Sequence, residues 1–267
     1  MSTNSNPGAA LITGASTGIG SIYAQRLAKR GYDLILVARN EERLKSLSAE
    51  IKSKTGRMAE VLAADLILKA DLKRVEDRLR VDKSITALVN NAGFGGVAKL
   101  IDSKVDDMDD MIQLNVTALT RLTSAVLPGL LERGKGLIIN VASVVALSPE
   151  LLNGVYSGTK AFVVNLTQSL HNEVKDTCIR VQAVLPGATR TEFWDRANHP
   201  VHNLPDEIVM TAEELVDASL AGLDQGELIT IPTLPDMKDW DKFEAARKAL
   251  APYLSRKHSA ARYGIGV

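Results

Sequence analysis

Tyr156 and Lys160 stand four residues apart in the segment 156–160, which reads Tyr-Ser-Gly-Thr-Lys. On a helix this spacing places the phenol and the ammonium on the same face. A free phenol has a pKa of about 10, and a neighbouring cation lowers that pKa because it stabilises the phenolate. The pair therefore predicts an acid/base that protonates an alkoxide during reduction or deprotonates an alcohol during oxidation. The alternative is a tyrosine and a lysine that merely share one amphipathic helix.

Ser143 is a second hydroxyl that could take part in this chemistry. It follows Asn140-Val141-Ala142, at the end of an apolar run of strand length. From beyond a strand end its hydroxyl can hydrogen-bond a substrate oxygen and share the polarising role with Tyr156.

A glycine-rich segment, 13–20, reads Thr-Gly-Ala-Ser-Thr-Gly-Ile-Gly and follows the first apolar run. Its Gly-x3-Gly-x-Gly spacing departs from the general Gly-x-Gly-x-x-Gly fingerprint, but its glycines still permit a sharp turn whose N–H groups face phosphates. The alternative is a tight strand-to-helix turn without a ligand. The residues expected to bind a dinucleotide here are Gly14, Ser16, Thr17, Gly18, Ile19 and Gly20.

The end of the second apolar run carries Arg39 and no carboxylate, since Asp33 stands at the start of that run. NAD sites usually place a carboxylate there for the ribose 2′-hydroxyl, whereas a guanidinium suits a 2′-phosphate. NADP(H) is therefore favoured over NAD(H), and the alternative is a solvated surface arginine. Asp65 could accept a hydrogen bond from the adenine amino group beside Leu66, or it could be a helix N-cap.

Seven apolar runs recur along the chain and alternate with segments of helical spacing. The runs are apolar throughout, as in strands covered on both faces. The alternation predicts a Rossmann-type, doubly wound α/β fold with a seven-stranded parallel sheet and helices on both faces. We expect one domain over 1–267, with a core of about 9–231, a substrate loop at 188–210 and a C-terminal extension at 236–267. The runs are 10–13, 34–37, 61–63, 87–89, 137–140, 181–185 and 228–231.

Several motifs in this order resemble those of the short-chain dehydrogenase/reductase family, in its shorter, non-extended type. The resemblance covers about 9–231 and implies an oxidoreductase that moves a hydride between NADP(H) and a carbonyl or alcohol carbon. The matching residues are Thr13-Gly14-x3-Gly18-x-Gly20, Asn90-Asn91-Ala92-Gly93, Asn115, Ser143, Tyr156-x3-Lys160 and Pro186-Gly187.

The resemblance also implies roles for individual residues. Asn115 would hold a water through its backbone carbonyl and connect Lys160 to solvent as a proton relay. Lys160 and Tyr156 would both contact the cofactor, with Lys160 on the nicotinamide ribose. Further cofactor contacts would come from Asn91, Ala92 and Gly93 beside the adenine ribose, and from Pro186, Gly187, Thr189 and Thr191 near the nicotinamide.

The expected substrate pocket is apolar, which suits a neutral, lipophilic carbonyl compound or secondary alcohol. The alternative is that these side chains only pack the loop onto the sheet. Its candidate residues are Phe94, Val145, Leu151, Leu152, Phe193 and Trp194.

Two other functions remain open from the sequence. One is reduction of a 3-ketoacyl thioester on coenzyme A or an acyl carrier, which would need a basic patch that Arg190 and Arg196 could supply. The other is an NADP(H)-sensing regulator without turnover, against which the complete set of catalytic residues argues.

Composition excludes several classes of function. The chain has 32 basic and 32 acidic residues, so no charge excess indicates a nucleic-acid or membrane partner. A single cysteine, Cys178, indicates a reducing cytoplasm, residues 1–8 do not form a signal peptide, and no apolar run of about 18 residues occurs. His199 and His202 lack a cluster of further ligands, so no metal is expected.

The C-terminal extension has helix-like spacing of apolar residues between Met237 and Leu254, including Trp240 and Phe243. Such a helix could cap the substrate cleft or form a subunit contact. The family resemblance implies a homotetramer or a homodimer.

Overall fold

A computed structural model describes residues 7–197 and 199–265. Within them a seven-stranded sheet has the order β3-β2-β1-β4-β5-β6-β7, and every neighbouring pair is parallel. This confirms the predicted doubly wound parallel sheet. The strands are β1 (Ala9–Thr13), β2 (Asp33–Ala38), β3 (Ala59–Ala63), β4 (Ile85–Asn90), β5 (Gly136–Val141), β6 (Ile179–Val184) and β7 (Ile229–Thr230).

Helices connect the strands and cover both faces of the sheet. Six short 3₁₀ turns and one π-helical turn, Gln113–Ala118, complete the regular elements of the described residues that precede position 233. The helices are α1 (Gly18–Lys29), α2 (Glu41–Thr55), α3 (Lys69–Val81), α4 (Val105–Ile112), α5 (Leu119–Arg133), α6 (Gly154–Val174), α7 (Phe193–Arg196), α8 (Ala212–Asp224) and α9 (Met237–Ala249).

The core forms two layers because successive strand residues point to opposite faces of the sheet. In β1, Ala10 and Ile12 belong to the layer shared with α1, α2 and α8, whereas Leu11 belongs to the layer shared with α3, α5 and α6. Tyr23 of α1 and Leu122 of α5 are among the largest fully buried side chains of the two layers. Both faces of the strands are thus buried, which explains their continuous apolar sequences.

Local signals set the element boundaries. Gly31 has φ +94° just after α1, so a glycine ends the first helix as its sequence indicated. Asn40 caps α2 by accepting a hydrogen bond from the Arg43 N–H at 3.0 Å. The last strand is shorter than its apolar run, because only Ile229 and Thr230 keep strand geometry. Cys178 is exposed and precedes β6, rather than beginning a buried strand.

The strand order reverses between β1 and β4, and this opens a crevice at the carboxyl ends of the strands. Thr13, the last residue of β1, holds the two sides together. Its hydroxyl donates to the Val89 carbonyl at 3.3 Å and accepts from the N–H groups of Asn91 and Ala92, each at 3.0 Å.

The helical run Val105–Arg133, in the described part of the chain, is long and apolar enough to span a membrane by length and composition. It comprises α4, the π-helical turn and α5. Leu122, Val126 and Leu130 of α5 are fully buried in the core layer that covers the sheet. The run is therefore a core helix of the α/β fold.

The chain divides into two compact units, residues 1–232 and 233–267. The boundary falls close to the expected start of the extension at position 236. In the second unit, α9 is followed by 3₁₀ turns at Ala251–Tyr253 and Ala261–Tyr263. The rings of Trp240 and Phe243 lie 5.3 Å apart in α9. A role of this unit as a cap or subunit contact stays a prediction.

Candidate active site

A cavity of about 1050 Å³ opens at the carboxyl ends of the strands. All of the residues predicted to form the site line this cavity except Gly20 and Asn115. The fold thus brings together a glycine loop, the end of β2, the residues after β4 and β5, the first turns of α6 and the loop after β6.

The glycine loop is held by close backbone packing. Gly14 has φ +65°, and a Cβ there would lie 2.7 Å from Asn91 Nδ2 and 2.9 Å from Ala92 Cα. A Cβ on Gly20 would lie 2.5 Å from the same Nδ2 atom. Asn91 Nδ2 donates to the carbonyls of Thr13 at 2.9 Å and Gly14 at 3.1 Å. Gly20 therefore packs behind the loop, while Gly14 and Gly18 line the cavity.

The end of β2 presents a cation to the cavity. Arg39 has a side chain that is 64% exposed, and its Nη1 lies 3.9 Å from Asp65 Oδ2. Asp33 lies at the opposite end of β2, where it pairs with Arg57 at 2.8 Å. No carboxylate directly follows β2, so this end of the site fits a phosphorylated ribose better than a free 2′-hydroxyl.

Asp65 forms a turn and is not the N-cap of α3. Its Oδ1 accepts from the Ile67 N–H at 3.1 Å, and Leu68 is the residue before α3 begins at Lys69. The helix-cap alternative for Asp65 is therefore wrong, and its carboxylate lines the cavity beside Leu66.

Ser143, Tyr156 and Lys160 meet at the centre of the cavity, and all three are buried. Lys160 Nζ donates to the Val141 carbonyl at 2.8 Å and lies 5.8 Å from the centre of the Tyr156 ring. The Ser143 hydroxyl accepts from the Val145 N–H at 3.3 Å and donates to the Pro186 carbonyl at 3.4 Å. The hydroxyl is thus anchored at the end of β5.

Burial controls the protonation of this group. Burial raises the pKa of Tyr156 to about 12, and a hydrogen bond with Ser143 offsets part of that rise. Burial lowers the pKa of Lys160 from 10.5 to about 8. The chain's own residues therefore keep the phenol protonated at neutral pH, which differs from the lowered phenol pKa that the Tyr156–Lys160 spacing predicts.

Asn115 lies in the π-helical turn and not in a regular α-helix. Its side chain accepts from the Phe94 N–H at 3.1 Å and donates to the Phe94 carbonyl at 2.8 Å and to Thr159 Oγ1 at 3.1 Å. Thr159 in turn donates to the Tyr156 carbonyl at 2.7 Å. Asn115 thereby fixes the segment after β4 to the catalytic turn of α6. π-helical turns are rare and are frequent at functional sites.

Aromatic side chains border the phenol on the substrate side. The Tyr156 and Phe193 ring centres lie 5.6 Å apart, and Trp194 packs edge-on against Phe193 at 5.3 Å. Trp194 is buried, and its indole N–H donates to the Thr189 carbonyl at 2.9 Å. Phe94, Val145 and Leu152 pack in the same cluster as Tyr156, whereas Leu151 is exposed at the cavity edge.

Three residues of the site were missed by the sequence reasoning. A Cβ on Gly95 would lie 2.8 Å from the rings of both Tyr156 and Phe193, so only glycine fits between them. Its signal was its place just after the Asn90–Gly93 motif. Arg43 and Glu192 also line the cavity and form an ion pair at 2.9 Å. They lie far apart in the sequence, and no local pattern pairs them.

No group of three or more possible metal ligands occurs among residues 7–197 and 199–265. His199 lies against Trp194, with ring centres 6.2 Å apart.

The fold and site define a dinucleotide-dependent oxidoreductase of the Rossmann class. The profile of the short chain dehydrogenase family matches residues 8–201. The chain belongs to this family.

Individual relatives agree with this assignment. A short-chain dehydrogenase from Sphingobium yanoikuyae in complex with NADPH superposes with a TM-score of 0.93, at 46% identity over 96% of this chain and 99% of its own. The bulky-bulky ketone specific alcohol dehydrogenase from Comamonas testosteroni gives 0.89, at 43% identity over 97% and 99%. The very-long-chain 3-oxoacyl-CoA reductase of Rattus norvegicus is 38% identical over 69% of this chain, which spans 60% of that longer protein.

The glycine cradle and Arg39 fit a 2′-phosphorylated dinucleotide, in agreement with the NADPH-bound relative. The cofactor is NADP(H), and the chain is an oxidoreductase that acts on CH–OH or C=O groups.

Proposed function

We propose that the chain is an NADP(H)-dependent carbonyl reductase of neutral, lipophilic ketones, with Tyr156 as the general acid. The observation that carries the proposal is the buried phenol that faces an apolar wall. Phe193 packs on the Tyr156 ring, and Val145 and Phe94 belong to the same apolar cluster.

The cofactor supplies a hydride to the carbonyl carbon, and the chain's residues manage the proton and the charge. The Tyr156 phenol stays protonated at neutral pH because its pKa is about 12, so it can donate to the developing alkoxide. Ser143 hydrogen-bonds the same oxygen and helps to hold the negative charge. Lys160 is still largely protonated at pH 7 with a pKa near 8, and its cation favours the phenolate that remains.

Asn115 completes the set of four residues. Its side chain fixes Phe94 and Thr159, and we assign to its backbone carbonyl the water that would connect Lys160 to solvent. The π-helical turn supports this role, since one backbone turn there departs from the α-helical hydrogen-bond pattern.

Charge in the cavity disfavours an anionic substrate. Asp110 on α4 lines the cavity, and Arg43, a cation on the cofactor side, is paired with Glu192. A carboxylate-bearing substrate would meet the Asp110 carboxylate without a free cation beside Tyr156 other than Lys160, which faces the Val141 carbonyl.

A second candidate is reduction of a 3-ketoacyl thioester, because the 3-oxoacyl-CoA reductase of Rattus norvegicus is 38% identical to this chain. A carrier needs basic groups near the cleft. Arg190 is paired with Asp206 at 3.1 Å, and the side chain of Arg196 lies outside the described residues. This pairing favours the free ketone. A regulator that only senses NADP(H) is disfavoured by the complete set of catalytic residues.

NADPH consumption tests the proposal against three substrate groups: ketones with two bulky apolar substituents, small polar ketones, and 3-ketoacyl thioesters. We expect the highest kcat/KM for the bulky ketones, and Tyr156→Phe should lower kcat by about 10³-fold because the proton donor is lost. The dissociation constant for NADPH should change less than about threefold in this variant. A higher kcat/KM for thioesters would replace the first candidate by the second. Full activity of Tyr156→Phe would remove the phenol from the proton transfer.

We also propose a cytoplasmic homodimer or homotetramer without a nucleic-acid or membrane partner, in line with the balanced charge and the single cysteine. Light scattering after size-exclusion chromatography distinguishes these states from a monomer.

A further inference from the structure

An ion pair joins the cofactor side of the cavity to the loop after β6. Arg43 Nη1 lies 2.9 Å from both carboxylate oxygens of Glu192. Both side chains are about half exposed, and both residues line the cavity. The pair therefore lies at the cavity surface, where a ligand can reach it.

Arg43 is close to the position that receives the 2′-phosphate of NADP(H). It stands in the first turn of α2, one turn after Arg39, and its N–H bonds the side chain of Asn40. Arg39, Asn40 and Arg43 all line the same end of the cavity. The arginine at the end of β2 is thus accompanied by a second guanidinium.

The charges at this end are balanced before any phosphate binds. Arg39 lies 3.9 Å from Asp65, and Arg43 is paired with Glu192, so two cations face two carboxylates. A phosphate monoester adds a charge of about −1.5 to −2 at pH 7. It binds well here only if a cation leaves its carboxylate. Exposed ion pairs are weak, whereas arginine holds phosphate through two parallel hydrogen bonds.

We propose that Arg43 is a specificity-determining residue for NADP(H), which leaves Glu192 to bind the 2′-phosphate beside Arg39. Glu192 stands between Thr191 and Phe193, and Phe193 packs on the catalytic Tyr156. The exchange therefore couples the 2′-phosphate to the segment that borders the reacting group. NADH, which lacks this phosphate, leaves the Arg43–Glu192 pair in place.

Binding calorimetry with NADPH, NADH, 2′-AMP and 5′-AMP tests the phosphate contact without turnover. Arg43→Gln should weaken NADPH and 2′-AMP by about tenfold, because a charge-assisted hydrogen bond is lost, and should leave NADH and 5′-AMP within about twofold. Glu192→Gln should tighten NADPH and 2′-AMP by about threefold, because the competing carboxylate is removed. The matched control is Lys45→Gln, an exposed cation on α2 that pairs with Glu41 and Glu42; it should change none of the four affinities.

Tryptophan fluorescence tests the coupling to the loop. The chain has two tryptophans, and Trp240→Phe leaves Trp194, two residues after Glu192, as the only emitter. In this background 2′-AMP should shift the emission and 5′-AMP should not, and Arg43→Gln should abolish the shift.

Two results would overturn the proposal. Equal losses of NADPH and NADH affinity in Arg43→Gln would show that Arg43 does not read the 2′-phosphate. An unchanged 2′-AMP affinity, with the same fluorescence shift in Arg43→Gln, would leave Arg39 alone as the phosphate residue. Thermal unfolding of each variant within about 2 °C of the parent chain excludes a folding defect, as expected for a surface substitution.

Discussion

The two sides of the cavity are built in different ways. On the cofactor side, Gly14 and Asn91 form a framework of backbone contacts, in which Asn91 donates to two carbonyls and a Cβ on Gly14 would overlap Ala92. On the substrate side, the wall is made of packed rings, with Phe193 between Tyr156 and Trp194. The first side leaves no room for another side chain. The second side can change its shape when a side chain changes, while the sheet stays the same.

The boundary between the two sides passes through the catalytic residues. Lys160 and Tyr156 lie on one turn of α6, which is anchored to the sheet through the Val141 carbonyl. Their positions follow from the rigid side, whereas the apolar surface against Tyr156 follows from the adaptable one. Chemistry and substrate selection are therefore set by separate groups of contacts.

The largest effect should come from Gly14→Ala on the cofactor side. The new Cβ would meet Asn91 Nδ2 at 2.7 Å in a backbone with φ +65°, so we expect a loss of about 3 kcal/mol in unfolding free energy and at least a 100-fold weaker NADPH affinity. Gly158→Ala is the control: it lies in α6 with no atom within 4 Å of a new Cβ, and it should stabilise by about 0.5–1 kcal/mol. Urea unfolding and NADPH titration measure both. Equal stability of the two variants would contradict the rigid description of this side.

Arg39→Asp tests the charged rim of the cofactor side. The change removes a phosphate ligand and adds a repulsive charge, so the ratio of kcat/KM for NADPH over NADH should fall by about 100-fold. Lys54→Asp, at the other end of α2, makes the same charge change without effect on the ratio. If the ratio holds in Arg39→Asp, Arg39 does not contact the 2′-phosphate.

Lys160→Met tests the boundary, because a buried ammonium lowers stability. The folded pKa of Lys160 is about 8, below its usual 10.5, so the unfolded chain binds more protons between these two pH values. The burial penalty is complete below pH 8 and disappears as the pH rises toward 10.5. We expect Lys160→Met to gain about 2 kcal/mol in unfolding free energy at pH 7 and much less at pH 10, while turnover is lost. Denaturant unfolding at the two pH values measures this difference. A variant that is less stable at pH 7 would mean that the Val141 hydrogen bond outweighs the cost of burial.

Trp194→Phe should have the smallest effect, on the adaptable side. It removes the hydrogen bond to the Thr189 carbonyl but keeps an aromatic ring, so we expect a loss of about 1 kcal/mol and a severalfold higher KM for the ketone. The NADPH dissociation constant should stay the same. Trp240→Phe, in α9, controls for the loss of an indole. A comparable weakening of NADPH binding would show that the two sides are not independent.

Much of the rigid side could be predicted from the sequence, because its signals are local. Gly14 and Gly18 mark a turn that requires positive φ, and Arg39 marks the end of an apolar strand. The Tyr156–Lys160 spacing gives one helical face directly. The parallel sheet followed from strands that are apolar on both faces, and its seven members and their order agree with that reasoning.

The remaining features depend on contacts between distant segments. The Arg43–Glu192 pair joins α2 to the loop after β6, and the indole of Trp194 caps a carbonyl of that same loop. The raised pKa of Tyr156 follows from burial, which the spacing of Tyr156 and Lys160 does not reveal. Gly20 was expected to touch the cofactor, but its lack of a side chain instead makes room for Asn91.

The π-helical turn Gln113–Ala118 also sets the rotation of α4 relative to α5. A regular α-helix turns by about 100° per residue, so a chain shorter by one residue here could continue as a single α-helix with α4 rotated by roughly that angle. Asp110 would then leave the cavity, and Met111 would leave its contact with the Tyr156 cluster. The number of residues in this turn is thus itself a determinant of which side chains reach the substrate. Among related chains, a one-residue deletion here would alter the pocket more than most single substitutions in α4.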